Sequence, residues 1–322
     1  MRGTRITDII TRYKTAIVFT IIGLIAGPIV GVMLNDYISI TPKRLAGLLE
    51  DDKVSVLEQV LSITKDSKSK AKVSEFNELR KQFKQPITLE NIDLSNKTLT
   101  GVNLDSIIIL HSNLSNANLK NSILDNVQIS GDLSVNLRNA SLHNADIIDS
   151  NLSNADLKDA YLSDAELTDT FFLSADLTNA DFSFADLTNA DFRHADLSNS
   201  NIVDADLLNA DFRHADLSNA NLSYANLADA DLRHAVLTNA SLLNANLIGS
   251  ILGNANLTNT DLDYADLTDA DLRSSNLTNA TLYLTDLSDS LFDCNSLRST
   301  NLTINASQIH LVDSNLIEVS GC

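Results

Sequence analysis

Residues 175–199 read ADLTN ADFSF ADLTN ADFRH ADLSN, five consecutive copies of one five-residue pattern. A period of five suits neither regular structure. On an α-helix, five residues advance about 500°, so successive leucines step round the axis and form no apolar stripe. On a flat strand, an odd spacing throws successive leucines to opposite faces. The pattern is consistent only if the chain turns a corner within every five residues. Ala and Leu, two apart on a short extended piece, then both point inward, and the Asp or Asn between them points out.

The pattern extends far beyond this stretch. Stepping by five from Leu137 to Leu302, all 34 positions are Leu, Ile or Phe. An earlier block runs from Leu89 through Leu94, Leu99, Leu104, Ile109, Leu114, Leu119 and Leu124 to Ile129, nine further positions. The phase slips between Ile129 and Leu137, so GDLSVN at 131–136 reads as a bulge or irregular loop. A chain that turns the same way every five residues winds into a prism with its leucines along the axis. The arginines at 193, 213, 233 and 273 and the phenylalanines at 172, 192, 212 and 292 are separated by multiples of twenty, which gives the prism four sides. Duplication of a twenty-residue block would leave the same trace, and insertion of whole coils is what such a prism tolerates best.

The A-(D/N)-(L/F)-(S/T/R)-x tract resembles the pentapeptide-repeat family. That resemblance implies an all-β solenoid, a four-sided right-handed parallel β-helix, over residues 87–318. Departures fall near 130–136 and 303–310. At four positions per coil, the 43 positions make about eleven coils and a column on the order of 50 Å long. All three prolines, Pro28, Pro42 and Pro86, precede the repeats, as a coil-to-coil hydrogen-bond ladder requires.

The first part of the chain has another character. Residues 1–86 carry 14 Lys and Arg against 9 Asp and Glu, whereas residues 87–322 carry 9 against 33. From Thr15 to Asn35 there are 21 residues without a charge, enough for a helix to span a bilayer. Residues 15–35 are therefore expected to contact membrane lipid as a single-pass transmembrane helix after a cytoplasmic tail, 1–14. Arg2, Arg5, Arg12 and Lys14 before the span outnumber Lys43, Arg44 and Lys53 soon after it, which favours repeats outside the cytoplasm. Gly23, Gly27 and Gly31 share a face at small-xxx-small spacing and are candidates for homo-oligomerisation in the membrane. Residues 36–86 read as a helical connector, with Leu57, Val60 and Leu61 on one face and Phe76, Leu79 and Phe83 on another. This connector is placed to cover the first coil. Residues 319–322 form a C-terminal tail.

Candidate sites come from departures within the repeat. Arg193-His194, Arg213-His214 and Arg233-His234 recur at twenty-residue intervals. His194, His214 and His234 are expected about 4.8 Å apart on one outer corner. They are metal-ligand candidates, but a straight ladder does not arrange ligands tetrahedrally around an ion whose Zn–N bonds are about 2.0–2.1 Å. Asp191 with Arg193, Asp211 with Arg213 and Asp231 with Arg233 each project from one strand in the same direction. Together with Arg273 they form a candidate interaction face, although exposed pairs contribute only about 0–1 kcal/mol each. Stacked carboxylates at Asp156, Asp176, Asp196 and Asp216 read as solvated surface. No nucleophile with a base, phosphate loop or metal-spaced Cys/His set stands out, so no catalytic residue, cofactor or enzymatic activity is expected. Cys294 and Cys322 are too few for a disulfide framework.

Three functions follow. The first is a membrane-tethered, acidic, non-enzymatic scaffold that binds an unknown protein partner outside the cytoplasm. The second comes from the family resemblance: some members mimic the DNA duplex and bind gyrase, and the acidity of the repeats suits such mimicry, whereas nucleic acid itself would be repelled. The third is a passive stalk without a partner.

Overall fold

The computed structural model describes residues 73–74, 76–78, 87–90, 92–110, 112–124, 126–129, 135–293 and 295–296. Within them the chain is a parallel β-helix. Strands β1 (Ile87–Glu90), β2 (Ile107–Leu110) and β3 (Gln128–Ile129) pair in parallel in the order β1-β2-β3, with Ile87 opposite Ile107 and Ile109 opposite Ile129. Elsewhere each pentad contributes a single parallel bridge to the pentad twenty residues on, as in Asp156–Asp176–Asp196–Asp216. A twenty-residue coil is four pentads, hence four sides.

The phase slip has a simple structural meaning. Asn113 bridges Asn136, Asn118 bridges Ser141 and Ile123 bridges Asp146, a step of 23 residues instead of 20. Three residues are inserted into one coil and every face is preserved. Leu114 donates its N–H to the Asn136 carbonyl at 2.8 Å, so Leu137 stacks on Leu114 as though nothing had been added.

The pentad 175–179 explains why the template has its composition, because each of its five backbone N–H groups has a partner. Asp176 donates back to Ala155, whereas Leu177 and Asn179 donate forward to Asp196 and Ser198. Ala175 closes a turn onto Phe172 O at 2.9 Å. Thr178 donates to Asp176 Oδ1 at 3.1 Å. The Asp or Asn before each leucine is therefore the acceptor of an Asx turn, and its side chain takes up the one N–H that neither neighbouring coil reaches.

The corner itself is a type II turn: the Ala180 N–H bonds the Leu177 carbonyl across Thr178 and Asn179, and Asn179 has φ 58°. That left-handed conformation recurs at the same place in pentad after pentad. Of the 35 non-glycine residues that adopt it, 28 are Asn, Asp or His, the residue types that tolerate it best. Glycine takes the position at Gly101, with φ 72°, and at Gly249, with φ 68°, where a Cβ would come within 2.5 Å of Asp229 Oδ1.

The interior is filled from all four sides by Leu, Ile, Val, Phe and Ala, almost all fully buried. Each buried leucine is worth about 1.5–3 kcal/mol. Phe172, Phe192 and Phe212 stack on one wall with centroids 4.9 and 4.8 Å apart, and Phe182, two pentads away on the opposite wall, meets Phe172 and Phe192 edge-on. At the first coil, residues 73–74 and 76–78 are helical, and Val73 and Phe76 are buried in the same core. Asn77 bonds both the Gly101 carbonyl and the Asn103 N–H at 2.8 Å.

Among the described residues no helix is long and apolar enough to cross a membrane. The expected span 15–35, its Gly23, Gly27 and Gly31 face, the connector residues Leu57, Val60, Leu61, Leu79 and Phe83, and the positions after 296 lie outside the described residues.

Candidate functional site

Two kinds of residue stand apart from the template, and both are legible as rows along the column. On one face, Asp191, Asp211, Asp231 and Asp271 occupy the Asx position, each followed two residues later by an arginine. Each arginine donates its backbone N–H to the aspartate and grips the same carboxylate with its guanidinium. For Arg193, Nε lies 2.8 Å from Asp191 Oδ1 and Nη2 lies 2.6 Å from Oδ2. Arg273 repeats this on Asp271 at 2.8 and 2.6 Å. Arg213 and Arg233 hold Asp211 and Asp231 in the same way.

The pairs also interlock between coils: Arg193 Nε is 3.6 Å from Asp211 Oδ2, and Arg213 Nε is 3.4 Å from Asp231 Oδ2. The row is broken at the coil of Ile251 and Gly253. Burial alone would raise the Asp191 and Asp231 carboxyls, but hydrogen bonds from Arg193 and Arg233 more than offset it and hold both below the usual carboxylate range. At Asp271 the Arg273 hydrogen bond is the largest influence, with the same result. The arginines are correspondingly raised, chiefly by the hydrogen bonds they donate to their aspartates. The aspartates are largely covered and the guanidiniums remain substantially exposed. What a partner would meet is a row of oriented cations with donors to spare.

Asp271 was absent from the sequence-derived face, although the D-x-R spacing at 271–273 matches the other three pairs. That spacing is the signal that identifies it.

His194, His214 and His234 answer to a different cause. They occupy the left-handed corner, with φ 60°, 62° and 62°. Their rings stack face to face, centroids 5.0 and 4.8 Å apart and within 2° of parallel. Stacked imidazoles keep their nitrogens in separate parallel planes and do not converge on a point. Among the described residues no group of three or more His, Cys, Asp or Glu is arranged to hold a metal ion. Their recurrence is explained by the corner conformation they share with the asparagines.

The carboxylates at Asp156, Asp176, Asp196 and Asp216 line up on one face as successive bridge partners. Asp176, Asp196 and Asp216 each accept the backbone N–H two residues on, at 3.1, 2.9 and 2.9 Å. Arg138 Nη1 reaches Asp156 Oδ2 from the preceding coil at 3.3 Å. These groups are part of the turn machinery. A corner ladder of amides runs parallel to them: Asn239 Nδ2 donates to Asn219, Asn259 to Asn239 and Asn279 to Asn259, all at 3.0–3.1 Å.

At the far end of the described column, Asp293 accepts the Ser296 N–H at 3.0 Å and the Ser274 hydroxyl at 2.7 Å. Burial opposes its ionisation, but these bonds hold its carboxyl far below the ordinary range.

Sequence reasoning missed a second row. Phe184, Tyr224, Tyr264 and Leu284 are exposed at one corner in the same left-handed conformation as the asparagines. The signal was present in the sequence as large apolar residues at the last position of the pentad, in steps of twenty or forty.

The sequence matches the family described as Pentapeptide repeats in eight copies, over residues 134–159, 155–193, 190–223, 215–254 and 250–289. No curated protein matches the chain. Among solved structures, it is similar to HetL, a pentapeptide repeat protein involved in heterocyst differentiation regulation from the cyanobacterium Nostoc. The two are 29% identical over 64% of this chain and 91% of that one, with a TM-score of 0.28. QnrB1, a plasmid-mediated fluoroquinolone resistance protein, is 23% identical over 66% of this chain and 94% of that one, with a TM-score of 0.28. A pentapeptide repeat protein from the Arabidopsis thaliana thylakoid lumen is 32% identical over 34% of this chain and 65% of that one, with a TM-score of 0.14.

Proposed function

The chain belongs to the pentapeptide-repeat family, with that family's right-handed β-helix, and from this premise we propose that it is a non-enzymatic binding scaffold, anchored by residues 15–35 and holding its repeats outside the cytoplasm. The observation that carries the binding role is the in-register row of Asp–Arg pairs. Coil-to-coil bonding sets the height of each guanidinium, and a carboxylate on the same strand sets its direction. A protein partner with carboxylates at matching spacing would meet preoriented donors and would lose little side-chain entropy in ordering them. The uncharged stretch 15–35 and the cationic flank before it support the anchoring and its direction. The Gly23, Gly27 and Gly31 face supports self-association within the bilayer.

The test is topological. Protease added to intact cells should remove the repeats, and a reporter fused after Cys322 should be active only in its extracytoplasmic form. Full protection of the repeats would reverse the orientation and end this reading. Crosslinking in native membranes that captured only monomers would remove the self-association.

A second reading is favoured by one observation, the aligned carboxylates of Asp156, Asp176, Asp196 and Asp216 on a strongly acidic column. These support an acidic, duplex-like regulator of a DNA-processing enzyme such as gyrase, if the repeats face the cytoplasm. The arginine row interrupts that acidity on the neighbouring face. Unchanged supercoiling by purified gyrase in the presence of the repeats would dismiss it.

A further inference from the structure

Phe184, Tyr224, Tyr264 and Leu284 have φ of 60°, 62°, 61° and 56°. They are the large apolar members of the left-handed set, and all four stand on one corner; at the other three corners the same position holds Asn, Asp, His, Ser or Gly. A bulky side chain in this conformation is strained where Asn or Gly is not. Core packing does not repay that strain, because Phe184 is 60% exposed, Tyr224 55% and Tyr264 48%. A locally unfavourable residue, repeated at one corner and facing solvent, points to selection for something that binds there.

The spacing narrows the choice of ligand. Phe184, Tyr224 and Tyr264 recur every second coil, with Asp204 and Asn244 at the corner between them. The stacked rings of His194, His214 and His234 measure two successive coil steps as 5.0 and 4.8 Å, so the corner positions of Phe184, Tyr224 and Tyr264, two coils apart, are set about 9.8 Å apart along the column. An extended β-1,4-linked glycan presents the same face of every second sugar at close to this repeat. Its apolar C–H faces stack on aromatic rings, and the hydroxyls of the intervening sugars suit a carboxylate and an amide. The acidic column repels anionic polymers, and it equally repels a second copy of itself. A neutral polysaccharide pays no such penalty.

We propose that this corner binds a neutral β-1,4-linked glycan lying along the column, with Phe184, Tyr224 and Tyr264 each stacking on alternate sugars and Asp204 and Asn244 bonding the hydroxyls between them. The site rests neither on the membrane anchor nor on the arginine row, so its test is independent of theirs.

The full-length protein is titrated calorimetrically with β-1,4-linked hexasaccharides of glucose and of N-acetylglucosamine, with the α-1,4-linked glucose hexasaccharide as control. At least one β-linked probe should bind and the α-linked one should not, the two β-linked arms distinguishing the sugar. Tyr224→Asn should weaken binding about tenfold, Tyr224→Phe should retain it, and the combined F184N/Y224N/Y264N protein should lose it. Because Asn suits the left-handed corner, the combined variant should melt no lower than the parent, which separates loss of the site from loss of the fold. Failure of both β-linked probes to bind, or undiminished binding by the combined variant, would overturn the proposal. Loss of self-association in sedimentation without any glycan binding would overturn it as well and assign the corner to a second copy of the chain.

Discussion

Arg193 and Asp191 face each other from one strand, two residues apart, with the carboxylate taking two guanidinium N–H groups and the arginine's own backbone N–H. One aspartate thus closes the turn and aims the cation. The same arrangement at Asp231 and Asp271 gives the column a predictable response to acid.

The folded carboxyls of Asp191, Asp231 and Asp271 lie below their ordinary value. A depressed carboxyl contributes stability that is fully present above its unfolded pKa, about 3.9, and is lost as pH falls through the folded value. The melting temperature followed by circular dichroism should therefore be level from about pH 7 to 5 and fall below about pH 4. In the R193A/R233A/R273A protein it should be lower at neutral pH, and the fall below about pH 4 should shrink, because the arginines that hold Asp191, Asp231 and Asp271 below their ordinary value are gone while burial, which opposes ionisation, remains.

Phe192 is sandwiched between Phe172 and Phe212 at 4.9 and 4.8 Å and is fully buried. Phe192→Ala should cost about 3–5 kcal/mol in denaturant unfolding. Because each coil contacts only its neighbours, the damage should be local: hydrogen exchange should quicken in the adjoining coils and remain slow toward Leu247 and Leu267.

Proline sorts the positions of the pentad. Ser198 donates its N–H only to the Asp196 side chain at 2.9 Å, whereas Asp196 donates its own to the Ala175 carbonyl of the neighbouring coil at 3.0 Å. Ser198 also takes the turn position that favours proline. Ser198→Pro should change stability by no more than about 1 kcal/mol, while Asp196→Pro should cost about 3 kcal/mol or more. Thermal melts of the two variants check the contrast.

Buried hydroxyls at the alanine position should respond with opposite signs. Thr170 Oγ1 donates to the Ile147 carbonyl at 2.7 Å, whereas the Ser250 hydroxyl is buried without a hydrogen-bond partner. Thr170→Ala should destabilise by about 1–2 kcal/mol, and Ser250→Ala should be neutral or stabilising by up to about 1 kcal/mol. Equilibrium unfolding in urea distinguishes them.

How much was legible beforehand depended on the range of the interaction. A period of five, unbroken across 34 positions, can only turn once per pentad, so the solenoid, its aliphatic axis and its four sides followed from short-range sterics and the twenty-residue recurrence. The partnership of Asp191 with Arg193 was equally local. The Asx role of the aspartates and the left-handed corner leave their mark on the composition, as Asp or Asn before each leucine and Asn two after it, but the composition does not specify the bond from Thr178 N–H to Asp176 or the positive φ of Asn179.

The twenty-residue recurrence already set His194 above His214 and His234, and tertiary structure decided how stacked side chains meet. Residues twenty positions apart meet only once coils have stacked, and one coil of 23 residues restores register where the sequence loses it. For that reason the face-to-face rings of His194 and His214, the interlock of Arg193 with Asp211 and the strained aromatic corner at Phe184, Tyr224 and Tyr264 belong to the folded column. Each joins groups that the chain itself keeps far apart, and the coil-to-coil hydrogen bonds bring them into line.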